Sequence, residues 1–485
     1  MLLVVDPRAA RADDDDDVGD TPALRYVVPA PKTYLRTALE EMALLTAGLF
    51  QYFHTTGNSV DWDLPYSWGS LSKKLDGQAI SFDTNRYDTN WLTHPAAGWL
   101  YYTAARGNRL DASESLFVTV AASTLWEFIG EYREQVSIND MIVTPMTGAV
   151  VGEATTQLAA WLDRGDDTLG RVFAWLFGPI GKLHDVADGA TPSRVPSQRG
   201  FHEFRLTLGA ASTLQTGAPS AYLDGTAALR TRIVRAPHYG EAGVASRFLT
   251  DSNLSSLWLS ATLSRGDLVD ARVDSDVAFA GYYAQDVRPG TRGGLRGYST
   301  YVGAQAGFRY DFHDYDRAGG TAVDRLSEVD IGLALDQRVY LGPLTMHLTL
   351  VTAPVFASPT SHAIPEYVAR SRPDTLSSVA RDQGYYYAGG GTLAPALELH
   401  WGPLGVRADA RISGFRGIAA RDRLGVLSPV ALSDEAFRAG LRVHARAGPV
   451  ELGASTQYRS RESRVADVSR RLSDSSWMVD TTFVF

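Results

Sequence analysis

The chain has 485 residues, with 46 Lys and Arg against 55 Asp and Glu, which gives a net charge of −9. This length exceeds the usual size of one hydrophobic core and predicts two domains, and the negative charge disfavours nucleic acid as a partner. A mean hydropathy of −0.13 excludes a polytopic helical membrane protein, and the absence of cysteine excludes disulfides and thiolate metal sites.

Residues 1–32 are acidic and contain several prolines, so we expect a disordered lead. Ala10-Arg11-Ala12 resembles the small-residue site at which secretory signals are cleaved. We therefore interpret the lead as retaining part of a signal peptide, and the alternative is a disordered cytoplasmic N-terminus. The acidic run Asp13–Asp17 is interpreted as a solvated tail.

Helical periodicity runs through residues 33–185, which we predict to form a helical domain. A structured loop is expected over residues 54–90, and residues 186–200 have the composition of a linker. The predicted helices cover residues 33–53, 95–106, 111–135, 145–163 and 168–183.

Within this domain, residues 90–153 combine apolar helices with a few polar side chains. Leu116 to Trp126 carry no charge, but this run is shorter than the roughly 20 apolar residues that span a bilayer. Gly148 and Gly152 have the small-xxx-small spacing that permits close contact between helices. The stretch predicts tightly packed helices around a polar centre.

Four side chains of this stretch are candidate catalytic residues, namely His94, Glu127, Glu131 and Asp140. Glu127 and Glu131 share one helix face, and a carboxylate in an apolar stripe is costly unless it is paired or binds a metal. Carboxylates beside one histidine suit a divalent cation, for which the candidate ligands are His94, Glu131 and Glu153. The alternative is a set of structural ion pairs with Arg106, Arg109 and Arg133.

After residue 200, apolar and polar residues alternate along the sequence with a period of two. This pattern predicts about twelve antiparallel strands over residues 201–485. In 437–447, for example, Phe437, Leu441 and Val443 alternate with Arg438 and Arg442. A soluble sandwich would place the apolar face inward, whereas an outer-membrane barrel places it toward lipid. Periodicity alone leaves both arrangements open.

Three features favour the outer-membrane barrel. The final strand, 477–485, ends in a phenylalanine, as in barrels that bacterial assembly machinery recognises. Tight Gly-Pro turns at 342–343, 402–403 and 448–449 alternate with long polar loops. Tyr and Trp cluster near strand ends, as at membrane interfaces. The predicted fold is α+β, with an N-terminal helical domain followed by an antiparallel transmembrane β-barrel of about 12 strands.

The polar face of these strands should line the barrel lumen. One interpretation is a selectivity lining for an anionic solute, and the other is a network of ion pairs that fills a narrow lumen. The predicted lumen-lining residues are Arg407, Asp409, Arg411, Arg438, Arg442 and Arg446.

The motifs NWLTHPAAGWLYYTAARGN, WEFIGEYREQVSINDM and GAVVGE allow a comparison with a known family. Together they resemble an uncharacterised bacterial envelope family, domain-of-unknown-function family 3943, over roughly residues 80–185. The resemblance implies an envelope location. The family carries no established activity, so the resemblance supplies no catalytic residue.

We therefore expect a protein of the Gram-negative outer membrane, with its helices on the periplasmic side or against the inner leaflet. Expected partners are outer-membrane lipid and the barrel assembly machinery, and no nucleic acid. Three functions stay open: an enzyme acting on membrane lipid, a channel or transporter in which the helices plug the barrel, and a structural or assembly partner in the envelope.

Overall fold

The computed structural model describes residues 31–56, 62–163, 168–189, 201–215, 221–290, 294–315, 323–370, 375–418 and 430–485. Residues 1–30 of the predicted N-terminal lead and residues 190–200 of the predicted linker lie outside the described residues. The described chain contains helices up to residue 188 and mainly strands from residue 201.

The described part of the helical region contains eight α-helices, a short parallel strand pair and three π-helical turns. None of the described helices is both long enough and apolar enough to cross a membrane. The helices are α1 (Tyr34–Thr56), α2 (Trp68–Leu75), α3 (His94–Gly107), α4 (Ala112–Leu125), α5 (Ile138–Thr147), α6 (Glu153–Leu162), α7 (Thr168–Phe177) and α8 (Pro179–Asp188). The paired strands are β1 (Ile80–Ser81) and β2 (Val136–Ser137), and the π-helical turns are Thr89–Thr93, Trp126–Gly130 and Gly148–Gly152.

Three helix boundaries differ from the prediction. The helix expected to start at Pro145 begins at Ile138, because the Ser137 hydroxyl accepts a hydrogen bond from the Asp140 backbone N–H and caps α5. The helix expected to reach Gln135 ends with its π-helical turn at Gly130. The helix expected over 168–183 is two helices, since Gly178 adopts a non-helical conformation before Pro179.

The predicted close contact between helices is confirmed at Gly148, which faces Gly98 of α3. A Cβ atom added at Gly98 would lie 1.9 Å from the Thr144 carbonyl oxygen, and one added at Gly148 would lie 2.5 Å from the Gly98 carbonyl oxygen. Only glycine permits this approach of the two backbones. The helices therefore form one tightly packed bundle.

From residue 201 the chain forms one closed antiparallel sheet. Strand β7 closes the ring by pairing with β8, and β5 pairs with the far half of β7 next to β6, so the barrel has twelve strand positions. The strands are β3 (Phe201–Gln215), β4 (Tyr222–Val234), β5 (Gly243–Leu249), β6 (Leu254–Ser264), β7 (Asp267–Pro289), β8 (Leu295–Asp314), β9 (Val323–Gly342), β10 (Leu344–Pro359), β11 (Ala388–Trp401), β12 (Leu404–Gly417), β13 (Leu432–Ala447), β14 (Val450–Val465) and β15 (Val468–Val484).

The polar face of the sheet points into the lumen. Arg438 on β13 reaches Asp311 on β8 at 2.8 Å, and these strands are not neighbours, so the pair crosses the barrel. Alternate residues such as Leu208 and Leu441 are exposed on the outer wall. An apolar exterior around a polar interior is the organisation of an outer-membrane β-barrel.

The two rims of the barrel differ. The turn rim holds the C-terminal residue Phe485 and the predicted Gly-Pro turns, whose glycines at 342, 402 and 448 have positive φ. The loop rim holds the longer connections, together with two tight turns near residues 266 and 467. In one long connection, α9 (Ile364–Arg370) and α10 (Ser378–Gln383) pack against side chains of β10, β12, β13 and β14 and cover the lumen.

The helical region lies along the outer wall of the barrel. Near the turn rim, the Trp161 ring lies 4.0 Å from that of Phe204. Near the loop rim, the Tyr87 hydroxyl donates to the Ser327 hydroxyl at 2.7 Å. The helical region therefore extends between the rims beside the strands and does not plug the lumen, unlike the helical plug considered from the sequence.

Candidate functional site

Three titratable side chains meet where the helical region contacts the barrel near the loop rim. They are Asp83, His94 and Asp140, and one potential metal-ligand atom from each lies within 4.8 Å of the other two. The His94 Nε2 atom is 3.5 Å from an Asp140 carboxylate oxygen. The structure thus unites the predicted residues His94 and Asp140 and adds Asp83, and we refer to these three residues as the Asp-His cluster.

Short-range hydrogen bonds position the two aspartates. Pairing of β1 with β2 brings Asp83 beside Asn139, whose side-chain oxygen accepts from the Asp83 backbone N–H at 3.1 Å. The Asn139 amide donates to Asp140 at 2.9 Å. His94 reaches the cluster because it is the first residue of α3, directly after the π-helical turn.

The barrel contributes to the same cluster. The Tyr387 hydroxyl donates to Asp83 Oδ1 at 2.6 Å, and Asn90 donates to the same oxygen at 2.8 Å. The Tyr385 hydroxyl donates to the Asn85 carbonyl at 2.7 Å. The site therefore joins the helical region to β11 and the connection that precedes it.

Buried negative charge dominates the cluster. Asp83 and Asp140 are each 1% exposed. Burial, and then the charges of Asp83, Glu127 and Glu131, raise the pKa of Asp140 well above its usual value, and burial lowers the pKa of His94. Among the described residues, no Lys or Arg forms an ion pair with Asp83 or Asp140. The arrangement is suited to a cation that the protein does not itself supply.

Glu127 and Glu131 lie next to the cluster without joining its three ligand atoms. Glu127 accepts from the Ser137 backbone N–H at 2.7 Å, and Glu131 accepts from the Trp126 indole at 3.1 Å. The buried Lys74 ammonium donates to the backbone oxygens of Glu127 and Glu131. These acids act on the cluster through their charge.

Glu153 lies in a different part of the bundle. It accepts hydrogen bonds from Tyr102 and Gln157, both at 2.8 Å, and its carboxylate is 2.8 Å from Arg106. Tyr102 is eight residues beyond His94 on α3, which corresponds to roughly 12 Å along a helix. The structure therefore does not bring Glu153 to His94 and gives it an arginine partner instead.

The predicted lumen residues occupy the interior of the barrel, apart from one at the rim. A cavity of about 190 Å³ is lined by Arg407, Asp409, Arg411 and Arg438. Arg442 contacts Glu451 and Asp480 at 3.1 and 2.7 Å. Arg446 is exposed and donates to the Gly448 carbonyl at the turn rim.

A second group of ligand-type side chains lies inside the barrel near the turn rim. Glu398, His400 and His444 also offer ligand atoms within 4.8 Å of one another. Arg205 and Arg407 lie 3.4 and 3.6 Å from Glu398. Because these guanidinium groups already compensate the carboxylate, this group is less suited to a metal than the Asp-His cluster.

The sequence did not identify Asp83, Tyr385 or Tyr387 as parts of a site. Asp83 falls in the segment interpreted as a loop, and the tyrosines lie about 300 residues further along the chain. An aspartate that follows Phe82 and precedes two asparagines, in SFDTNRYDTN, is the one local signal. The position of the tyrosines near a strand end predicts interfacial aromatics, and only the fold brings Tyr387 to Asp83.

Comparison with known proteins agrees with the sequence-based resemblance. Residues 79–180 match the model of a family described as Domain of unknown function (DUF3943). That segment contains all three residues of the Asp-His cluster. No curated protein matches the chain.

The barrel is similar to solved outer-membrane barrels at low identity. The beta domain of the Bordetella autotransporter BrkA is 14% identical, with 59% of this chain and 99% of that chain covered and a TM-score of 0.19. The translocator domain of the autotransporter NalP from Neisseria meningitidis is 10% identical, covering 62% and 93%, with a TM-score of 0.21. OmpT of Vibrio cholerae is 10% identical, covering 59% and 98%, with a TM-score of 0.15.

Proposed function

We propose that this outer-membrane barrel protein carries a divalent-cation centre at Asp83, His94 and Asp140 and uses it on membrane lipid or another envelope component. The observation that carries the proposal is the convergence of three ligand atoms within 4.8 Å at a buried position. Two carboxylates and one imidazole form a ligand set for a hard or borderline divalent cation.

The charge balance supports a cation. Asp83 and Asp140 are buried together, and among the described residues neither forms an ion pair with Lys or Arg. Burying a carboxylate without a counter-charge costs roughly several kcal/mol of folding free energy. A divalent cation would remove that cost, and protonation of Asp140 would remove part of it.

A cation held by these residues would polarise an ester or phosphoryl oxygen or lower the pKa of a bound water. Membrane lipid is the proposed substrate class because the cluster lies where the helical region meets the lipid-facing wall. Asp83 would be held in orientation by Tyr387 and Asn90, and Asp140 by Asn139.

A structural role is the second candidate. Its supporting observation is that Tyr385 and Tyr387 of the barrel contact residues 83–90, so the cluster also fastens the helical region to the wall. In this case a cation would stabilise the joint between the two parts of the molecule without turnover. The structure gives no support to a channel plugged by the helical region, because this region contacts the outer wall of the barrel.

The test uses full-length protein in lipid nanodiscs, dialysed against Mn²⁺, Zn²⁺ or Ca²⁺ and analysed for bound metal by mass spectrometry. The wild type and the control Asp467→Asn should hold about one ion per chain, and His94→Ala and Asp140→Asn should hold at least tenfold less. An unchanged metal content in the variants, or none in the wild type, would overturn the cation centre. Heat-modifiable migration verifies that each barrel is folded.

Release of labelled fatty acid or headgroup from outer-membrane lipid then separates the two candidates. Turnover by the wild type that is lost in His94→Ala would support the enzyme. Bound metal without turnover, together with increased protease cleavage of the helical region in His94→Ala, would support the structural role.

Recognition by the barrel assembly machinery is also proposed, from the terminal strand. Phe483 pairs with Leu206 and Val450 at the closing seam of the barrel, and the Phe485 N–H donates to the Phe204 carbonyl. Deletion of Phe483–Phe485 should therefore abolish assembly in cells. Normal membrane fractionation of the truncated chain would contradict this partner.

A further inference from the structure

We infer that the helical region contacts lipid acyl chains directly, through the outer faces of α1 and α4, and so lies beside the barrel within the membrane. This inference goes beyond the cation centre and does not depend on it. It differs from the position expected from the sequence, on the periplasmic side or against the inner leaflet, by placing the helices beside the strands within the membrane.

The polarity of α4 is reversed relative to a helix on the surface of a soluble protein. Its outward face is apolar, and Phe117 is 73% exposed. The other outward residues of this helix and its π-helical turn are Leu116, Val120, Leu125 and Ile129. The inward face carries the polar residues Ser115, Thr119, Ser123 and Glu127, all nearly inaccessible to solvent. A soluble helix places its apolar stripe toward the core instead.

Helix α1 shows the same reversal. Its exposed large side chains include Leu35, Leu39, Met42, Phe50 and Phe53. Its charged residues turn toward the protein instead of solvent. Arg36 lies 2.6 Å from Asp188, Glu40 lies 2.9 Å from His184, and Glu41 is buried. Charged residues of helices within membranes face the bundle interior in this way.

These faces continue the apolar belt of the barrel. On β8 and β9, the strands that contact the helical region, outward side chains such as Val302, Ile331 and Leu333 are half exposed. The belt of an outer-membrane barrel is about 25 Å high. Residues 112–130, which are helical throughout, extend roughly 28 Å at 1.5 Å per residue. One apolar surface therefore extends from the outer wall of the barrel onto the outward helix faces. Lipid that contacts the barrel wall also contacts these helices.

A second copy of the chain could cover the same faces, and the charge distribution argues for lipid instead. A protein interface has a polar rim and carries hydrogen bonds. The outward face of α4 from Leu116 to Ile129 offers only aliphatic and aromatic side chains with Ala121 and Thr124. The Thr124 hydroxyl donates a hydrogen bond to the Val120 carbonyl of its own helix. This chemistry fits acyl chains.

The absence of cysteine from the sequence makes site-specific labelling direct. We would introduce Phe117→Cys and Leu39→Cys singly into the full chain, attach a fluorophore and reconstitute the protein in phosphatidylcholine vesicles. Leu208→Cys on the outer wall is the lipid-exposed control, and Asp467→Cys in a rim turn is the water-exposed control.

Acyl chains carrying a nitroxide should quench the probes at 117 and 39 to within twofold of the Leu208 probe. Aqueous iodide should quench them several-fold less than it quenches the Asp467 probe. Iodide quenching equal to that at 467 would place the helices in water and overturn the inference. Disulfide formation between copies at 117, with no nitroxide quenching, would show that a second copy covers the face and would also overturn it.

Discussion

The barrel lumen and the Asp-His cluster both bury carboxylates, but they balance the negative charge differently. In the lumen, Arg309 contacts Asp274, Asp276 and Asp330, and Arg442 contacts Glu451 and Asp480. In the cluster, Asp83 and Asp140 meet only a histidine and neutral donors. In the part of the chain that the structure describes, these lumen carboxylates have arginine partners, whereas Asp83 and Asp140 have no Lys or Arg partner.

The largest effect is expected in the lumen. Arg309→Met should destabilise the folded barrel in lipid by about 3–5 kcal/mol, because buried Asp330 and partly buried Asp276 lose this arginine, whereas Asp274 keeps Arg272 as a partner. Urea titration in vesicles measures this value. The control Arg288→Met removes an exposed ion pair with Asp286 and should cost less than about 1 kcal/mol. Equal costs for the two variants would mean that lumen charges are solvated.

The outer wall gives the opposite test. Leu441→Arg places a charge on the lipid face near the middle of β13 and should cost about 2–4 kcal/mol. Leu441→Ala controls for the lost apolar surface and should cost less. The same titration compares the two variants. A Leu441→Arg variant that folds as well as Leu441→Ala would show that this face does not meet lipid.

The helical bundle depends on close packing instead of ion pairs. Gly98→Ala should destabilise the helical region by about 1–3 kcal/mol, since the new methyl group would collide with the Thr144 carbonyl. The matched control Gly181→Ala adds a methyl group to open space on α8 and should be neutral or slightly stabilising. Tryptophan fluorescence during urea unfolding measures both variants. Equal midpoints would contradict the tight contact between α3 and α5.

The smallest effect carries the most information about the cluster. In chelated protein, Asp140→Asn should leave stability unchanged or raise it by up to about 1 kcal/mol, because burial raises the pKa of Asp140 and so disfavours folding when this carboxyl is ionised in the unfolded chain, and asparagine cannot ionise. With Mn²⁺ present, the same variant should be less stable than the wild type. Urea midpoints with and without the ion measure this change of sign. A loss of stability in both conditions would mean that Asp140 serves only the fold.

Much of the barrel could be predicted from the sequence because apolar and polar residues alternate along the strands. Phe485 and the Gly-Pro turns favour the barrel over a sandwich. The partners of Arg442 could not be predicted, since they depend on which strands close the ring. The partner of Glu153 could not be predicted either. Its helix was predicted, but its contact with Arg106 depends on how α3 packs against α6.

The helical site was only partly predictable. His94 and Asp140 stood out as polar groups in apolar sequence, whereas Asp83 joins them through a two-residue strand pair that no periodicity reveals. The position of the helices against the outer wall was missed for a related reason. The apolar exposed face of α1 has the spacing of an ordinary core-facing stripe, and only the burial of Glu41 and the ion pair of Arg36 with Asp188 show which side meets the protein.

Anomalous X-ray diffraction from crystals soaked in Mn²⁺ tests the central claim most directly. We predict an anomalous peak within about 2.3 Å of oxygen atoms of Asp83 and Asp140 and of a His94 ring nitrogen, as expected for direct coordination. We predict a much weaker peak or none at Glu398, His400 and His444, where arginines already balance the charge. A peak at the second group alone, or no peak at the Asp-His cluster, would contradict the proposed cation centre.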